Sequence, residues 1–175
     1  MSKPYRIKVK DLIAATDMSN FYIDLPPLMP PQEFREIVEE LLQGAGWARD
    51  EEGRLSMKID EFMTYSFEPN SMLIVTHVEK KEMLEQTLEG WSPTELEMKE
   101  EALFSRQEQK LAEAAVRYLE ETADARRMQC ESWMIDATAV AIKQVATQLG
   151  DVEDIHEERG EDGSYQLTIT IKEHS

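Results

Sequence analysis

Only a few side chains in this sequence could carry chemistry beyond ordinary packing. There are three histidines, His77, His156 and His174, and one cysteine, Cys130. Activation of a Ser, Thr or Cys nucleophile requires a positioned base, and none of the histidines sits in a recognisable nucleophile motif. Cys130 stands mid-helix between Gln129 and Glu131, with no adjacent cation to draw out a thiolate, and is expected to pack. The seven glycines are scattered, and none forms a strand-to-helix phosphate cradle. The densest set of possible ligands is Glu153, Asp154, His156, Glu157 and Glu158. On a strand, Asp154, His156 and Glu158 would share one face and could converge on a metal ion. The competing reading, which is favoured, is a solvated edge strand kept from pairing by its charges. No cofactor is expected, and with 36 acidic residues nothing separates a catalytic carboxylate pair from the rest.

The charge itself is the stronger signal. Thirty-six Asp and Glu stand against 19 Lys and Arg, a formal net charge of -17. Residues 51 to 100 carry -7 of this and residues 151 to 175 carry -6. Direct nucleic-acid binding is therefore not expected, because phosphate affinity needs a basic surface. A basic partner surface complements such a chain, although charge also serves solubility alone. A single cysteine leaves no internal disulfide framework and fits a reducing compartment. The clearest apolar run is only Met72 to Val75, so neither a membrane span nor a secretory leader is expected, and a cytoplasmic setting follows.

The elements that would hold these residues read as α+β. Tyr5, Ile7 and Val9 alternate with Arg6, Lys8 and Lys10 as a first strand. A turn or two of helix is expected over Asp11 to Ser19, then a strand over Phe21 to Leu25. Pro26, Pro27, Pro30 and Pro31 make an extended connector into a helix whose apolar stripe is Phe34, Ile37, Val38, Leu41 and Leu42, stopped by Gly44 and Gly46. Odd positions from Leu55 to Phe67 make one apolar face interrupted by Glu61, where a bulge or an edge is expected. Glu68 to Ser71 forms a turn into a central strand over Met72 to Val78. Residues 80 to 89 read as a short helix closed by Gly90.

A capping pattern at Ser92, Pro93 and Glu95 opens a helical region with no further glycine or proline before Gly150. Unbroken, its 57 residues would reach roughly 85 Å, against a radius of gyration near 16 Å for a globule of this length. Either it breaks and folds back as a helical pair, which is favoured, with Ser105 to Glu108 and Thr122 to Asp124 as the candidate breaks, or it projects as an arm that finds a partner helix. An imperfect heptad seam runs through Phe104, Leu111, Tyr118, Ala125, Ala139 and Ala146, with Met128 among the opposing positions. A C-terminal hairpin follows, in which Tyr165, Leu167, Ile169 and Ile171 alternate with polar residues.

The expected architecture is a small antiparallel or mixed sheet packed with an amphipathic helix and a long helical region. Residues 1–91 form an α+β part, 92–150 the helical part, and 151–175 a β-hairpin joining the N-terminal sheet in one domain. The functional expectation is a non-catalytic adaptor or accessory subunit of a bacterial multiprotein assembly. It would bind another protein, or a second copy of itself, through Phe104, Leu111 and Tyr118 of the long helix and through its acidic surface. The alternatives are an acidic inhibitor that imitates nucleic acid, and, behind it, a metal-dependent enzyme with a dispersed site.

Overall fold

The computed structural model describes residues 1–173 and bears out the α+β class; His174 lies outside the described residues. Strand β1 is Tyr5–Tyr22, followed by helix α1, Pro31–Gly44. Then come β2 (Ala48–Arg49), β3 (Leu55–Lys58), β4 (Met63–Glu68) and β5 (Leu73–Gly90). Helix α2, Pro93–Leu149, leads to β6 (Gly150–Arg159) and β7 (Tyr165–Glu173). The first five strands form one antiparallel sheet in the order β1-β5-β4-β3-β2, and β6 and β7 form a second. The C-terminal hairpin does not join the N-terminal sheet.

Two expected helical pieces are strand. Residues 11–19 continue β1, because the odd positions stay on the covered face: Ile13 is buried, and Ala15, Asp17 and Ser19 are half-buried. Their small or polar side chains erase the apolar alternation without changing the geometry. Residues 80–89 continue β5. Leu84 and Leu88, four apart, match a helical stripe, yet they fall equally on one face of a strand. Ion pairs Arg6–Glu89 (2.6 Å) and Lys8–Glu85 (2.9 Å) join the outer ends of β1 and β5.

The interruption at Glu61, expected as a bulge or an edge, is a reversal between two strands. Asp60 Oδ1 accepts the N–H groups of Phe62 (2.8 Å) and Met63 (2.9 Å), while Ile59 N–H donates to the Met63 carbonyl at 2.9 Å. Such a side-chain bond to the following backbone makes Asp a turn former. Leu55, Met63, Tyr65 and Phe67 are buried, as are Ile74 and Val78 of β5. Helix α1 buries Phe34, Ile37, Val38 and Leu42, starts on Pro31, and ends where Gly46 turns at φ 102°.

Helix α2 is unbroken over 57 residues. Its start is capped as expected: Ser92 Oγ accepts from Glu95 N–H (3.2 Å), and the Glu95 carboxylate accepts from Trp91 N–H (2.7 Å). Thr122 does not break it, because its hydroxyl donates to the Tyr118 carbonyl at 2.7 Å and so is satisfied within the helix. The chain covers the heptad seam only in part: Leu111, Ala139 and Ala146 are buried and Phe104 and Tyr118 half-buried. Ala125 and Met128 are exposed, whereas Leu119, Cys130 and Ala141, spaced by eleven, are buried. Eleven residues are three turns of helix, so these positions fall on one face of α2.

The chain divides into two compact units, each gathered from separate segments. Unit 1 is Met1–Ser19, Lys58–Tyr65 and Thr76–Ala123; unit 2 is Asn20–Met57, Ser66–Val75 and Asp124–Ser175. No helix among the described residues is long and apolar enough to cross a membrane.

Candidate protein-binding groove

In unit 2 the hairpin register decides which side chains face the helix. Val152 pairs with Ile171, Ile155 with Ile169, Glu157 with Leu167 and Arg159 with Tyr165. Residues directly opposite in an antiparallel pair share a face. An irregularity between Val152 and Asp154 flips the parity of β6, which brings Val152 and Ile155 to the same side. That face is pinned to α2 by ion pairs, Lys143 with Glu157 and Arg159 with Asp136.

The opposite face carries Asp154, His156 and Glu158 across from Thr170, Thr168 and Gln166. The expected sharing of one face therefore holds. His156 Nε2 lies 2.9 Å from Glu158 Oε1, and that contact raises the His156 pKa, with Asp154 adding to it. Among the described residues no group of three such side chains converges to hold a metal ion.

Between α2 and its neighbours runs an open groove of about 700 Å³. Its floor is Met134, Ile135, Ala139 and Ile142 of α2; one wall is Phe21 and Tyr22 at the end of β1, and the other is Tyr165 and Leu167 of β7. A smaller hollow of about 140 Å³ shares Ile142 and continues past Leu28, Ala146, Leu149, Ile169 and Ile171. The rim carries Asp24 and Glu131. Tyr22 is 71% exposed and Leu149 60%, so the apolar lining is open to solvent. Unit 2 also holds most of the charge, with 20 Asp and Glu against 8 Lys and Arg.

The residues singled out on the helical seam lie in unit 1 and are engaged there. Phe104 is half-buried and Leu111 is 6% exposed. The Tyr118 hydroxyl donates to Asp60 Oδ2, its ring meets Phe62 edge-on at 6.0 Å, and the Lys80 ammonium lies 3.5 Å from the Phe62 ring centre and 4.3 Å from that of Tyr118. Burial acts to raise the Asp60 pKa, but bonds from Tyr118, Phe62 N–H and Met63 N–H and the Lys80 charge outweigh it and lower the value. The same bond, with burial, pushes Tyr118 up to about 12. This cluster ties α2 to the β3–β4 turn, and its phenol is too weak an acid for proton transfer near neutrality.

Its energetic worth is testable. Tyr118→Phe costs about 1 kcal/mol, a bond to a charged acceptor discounted for exposure. Asp60 has a lowered folded pKa, so its part of that stability is present above the ordinary carboxylate range and lost as pH falls through the lowered value. The difference in urea stability between wild type and variant therefore shrinks from pH 7 to pH 3. Tyr118 has a raised folded pKa, so its contribution holds below pH 10 and is lost as pH rises through about 12. In an ultraviolet titration of the five tyrosines, a late phenol disappears in Tyr118→Phe.

Cys130 is 2% exposed, and burial pushes its thiol up to about 11, against a smaller lowering influence from Arg126. It packs, as expected. An aromatic disulfide reagent reacts with it only after denaturant is added; labelling as fast in the folded chain as in urea would contradict this placement.

The groove and the hairpin-to-helix pinning were not foreseen. A signal for them existed in Trp133, Met134, Val140 and Ala141, which lie off the heptad seam and marked residues 128–149 as apolar on more than one side. Comparison with curated proteins and with solved structures gives no match. The FtsH ternary system domain X5 (fvmX5) profile, in contrast, matches residues 1–172, nearly the whole chain, and the protein belongs to that family.

Proposed function

We propose that the chain is a non-catalytic, partner-binding component of the multiprotein system for which its family is named, and that it engages another protein of that system through unit 2. The observation that supports this most is the open apolar groove set in the more acidic unit. A soluble domain seldom leaves a contiguous apolar patch uncovered unless something docks there. The acidic surroundings attract a basic partner and speed its encounter. Cys130 is buried, the Tyr118 hydroxyl is bonded to Asp60, and His156 is paired with Glu158 on the outer face, so these three groups have structural partners or packing roles.

Titration calorimetry of the purified chain against each other component of the system tests the reading. One component binds, and because apolar contact carries the affinity, binding weakens by less than about tenfold between 50 and 500 mM salt. If no component binds, the reading fails. Displacement of the partner by duplex DNA would favour the nucleic-acid mimic instead.

A further inference from the structure

The two walls of the groove share a property that the lining alone does not reveal: each is a terminal strand of its sheet. β1 is last in the order β1-β5-β4-β3-β2, and among the described residues β7 pairs only with β6. The Phe21–Tyr22 end of β1 and the Tyr165–Leu167 end of β7 border a gap above Ile135, Ala139 and Ile142 of α2.

The two edges of the hairpin differ in how they are defended. β6 carries Asp151, Glu153, Asp154, Glu157 and Glu158 and an irregularity after Val152, all devices that discourage a further strand. β7 from Tyr165 to Ile171 has no charged residue, no proline, no glycine and no irregularity in its register. Its inward residues, Leu167, Ile169 and Ile171, are half-buried and its outward ones are Gln166, Thr168 and Thr170. An edge of seven such residues is a template for pairing, and it is as long as an ordinary strand.

We propose that this gap accepts an extended segment of a partner protein, which adds as a strand to the free edge of β7. Its alternate apolar side chains lie on the α2 floor, and basic residues between or beside them face the acidic rim. The occupant follows from charge and geometry. Asp24 and Glu131 stand at the rim of a unit with 20 acidic and 8 basic residues, which selects cationic flanks. A strand beside β7 presents every second residue to the floor, which selects period-two apolar anchors. Main-chain bonds to β7 would align the segment and add to an affinity carried by the apolar floor. This mode of binding rests on the partner-binding reading given above.

The test uses the intact chain and a display library of random 12-residue peptides. Selection should enrich sequences that alternate apolar and polar positions and carry Lys or Arg. A synthetic consensus peptide is then N-methylated at every second residue, in either phase. One phase removes the N–H groups that face β7 and weakens binding at least about tenfold; the other leaves it nearly unchanged. Ile142→Asp abolishes binding, and the N-methylation arm stands even if that variant folds poorly. No enrichment, enrichment of i, i+3, i+4 spacing, or equal affinity of both methylated peptides would overturn strand addition. If a component of the system binds Ile142→Asp as tightly as wild type, strand addition in this groove fails and the broader reading stands. If no component binds the wild type, both fail.

Discussion

Replacing Trp47 by alanine lowers the unfolding free energy by about 3–5 kcal/mol, the range for truncating a large buried aromatic. Trp47 is 3% exposed, its backbone N–H donates to the Leu42 carbonyl at 3.0 Å, and its ring meets Trp133 edge-on at 5.5 Å and 78°. It is placed by the Gly46 turn that ends α1, a position where φ of 102° suits glycine. The truncation opens a cavity beside Trp133, next in sequence to Met134 and Ile135 of the groove floor. Trp91 offers the contrast: it is 65% exposed, and Trp91→Ala changes stability by less than about 0.5 kcal/mol. Urea titrations followed by far-ultraviolet circular dichroism measure both. Equal midpoints for the two variants would contradict the packing described for unit 2.

Gly150→Ala detaches the hairpin. The chain passes from α2 into β6 with no loop, and Gly150 pairs with Glu173. A methyl group at Gly150 would overlap the Lys172 carbonyl oxygen and lie 2.9 Å from its carbon and 3.2 Å from Glu173 Cα. These are backbone atoms, so relief requires β7 to move, at a cost of about 1–3 kcal/mol for an overpacked site. A two-stranded sheet is marginal by itself, and this one depends on its helix-facing side. The expected result is loss of amide protection throughout β6 and β7 with little change in β3 and β4, together with at least tenfold weaker peptide binding in the groove. Gly160→Ala is the control, since the atoms nearest an added methyl there belong to the movable side chains of Ser164 and Asp162.

Much of the fold was legible because the relevant signals are local. The α1 stripe, the Ser92 and Glu95 cap, the turn at Glu68 to Ser71 and the alternation of β7 each depend on residues within one or two turns of one another. The errors fell where distant pairing decides the structure. Ala15, Asp17 and Ser19 read as non-strand because β5, more than fifty residues away, holds them in β1. Leu84 and Leu88 have a spacing compatible with helix or strand, and the pairing of β5 settles it. The break in α2 was expected from a size argument about a single globule. Two units gathered from interleaved segments remove that premise, since one helix contributes to both.

The candidate site was less legible than the fold. Asp154, His156 and Glu158 do share a face, but it is the face turned away from α2. Phe104, Leu111 and Tyr118 mark a helix stripe that the chain itself engages. What the groove needs is two strand edges over one helix face, and neither edge is written in local pattern. Only the absence of charge from Tyr165 to Ile171, beside the charge crowded into β6, hinted at it.

Hydrogen–deuterium exchange on the chain with and without its bound system component tests partner docking in unit 2 most directly. New protection is expected in β7 between Tyr165 and Ile171 and at the Asn20 to Tyr22 end of β1, with the amides of residues 96–119 unchanged. Protection confined to residues 96–119, with β7 exchanging as freely as before, would contradict it.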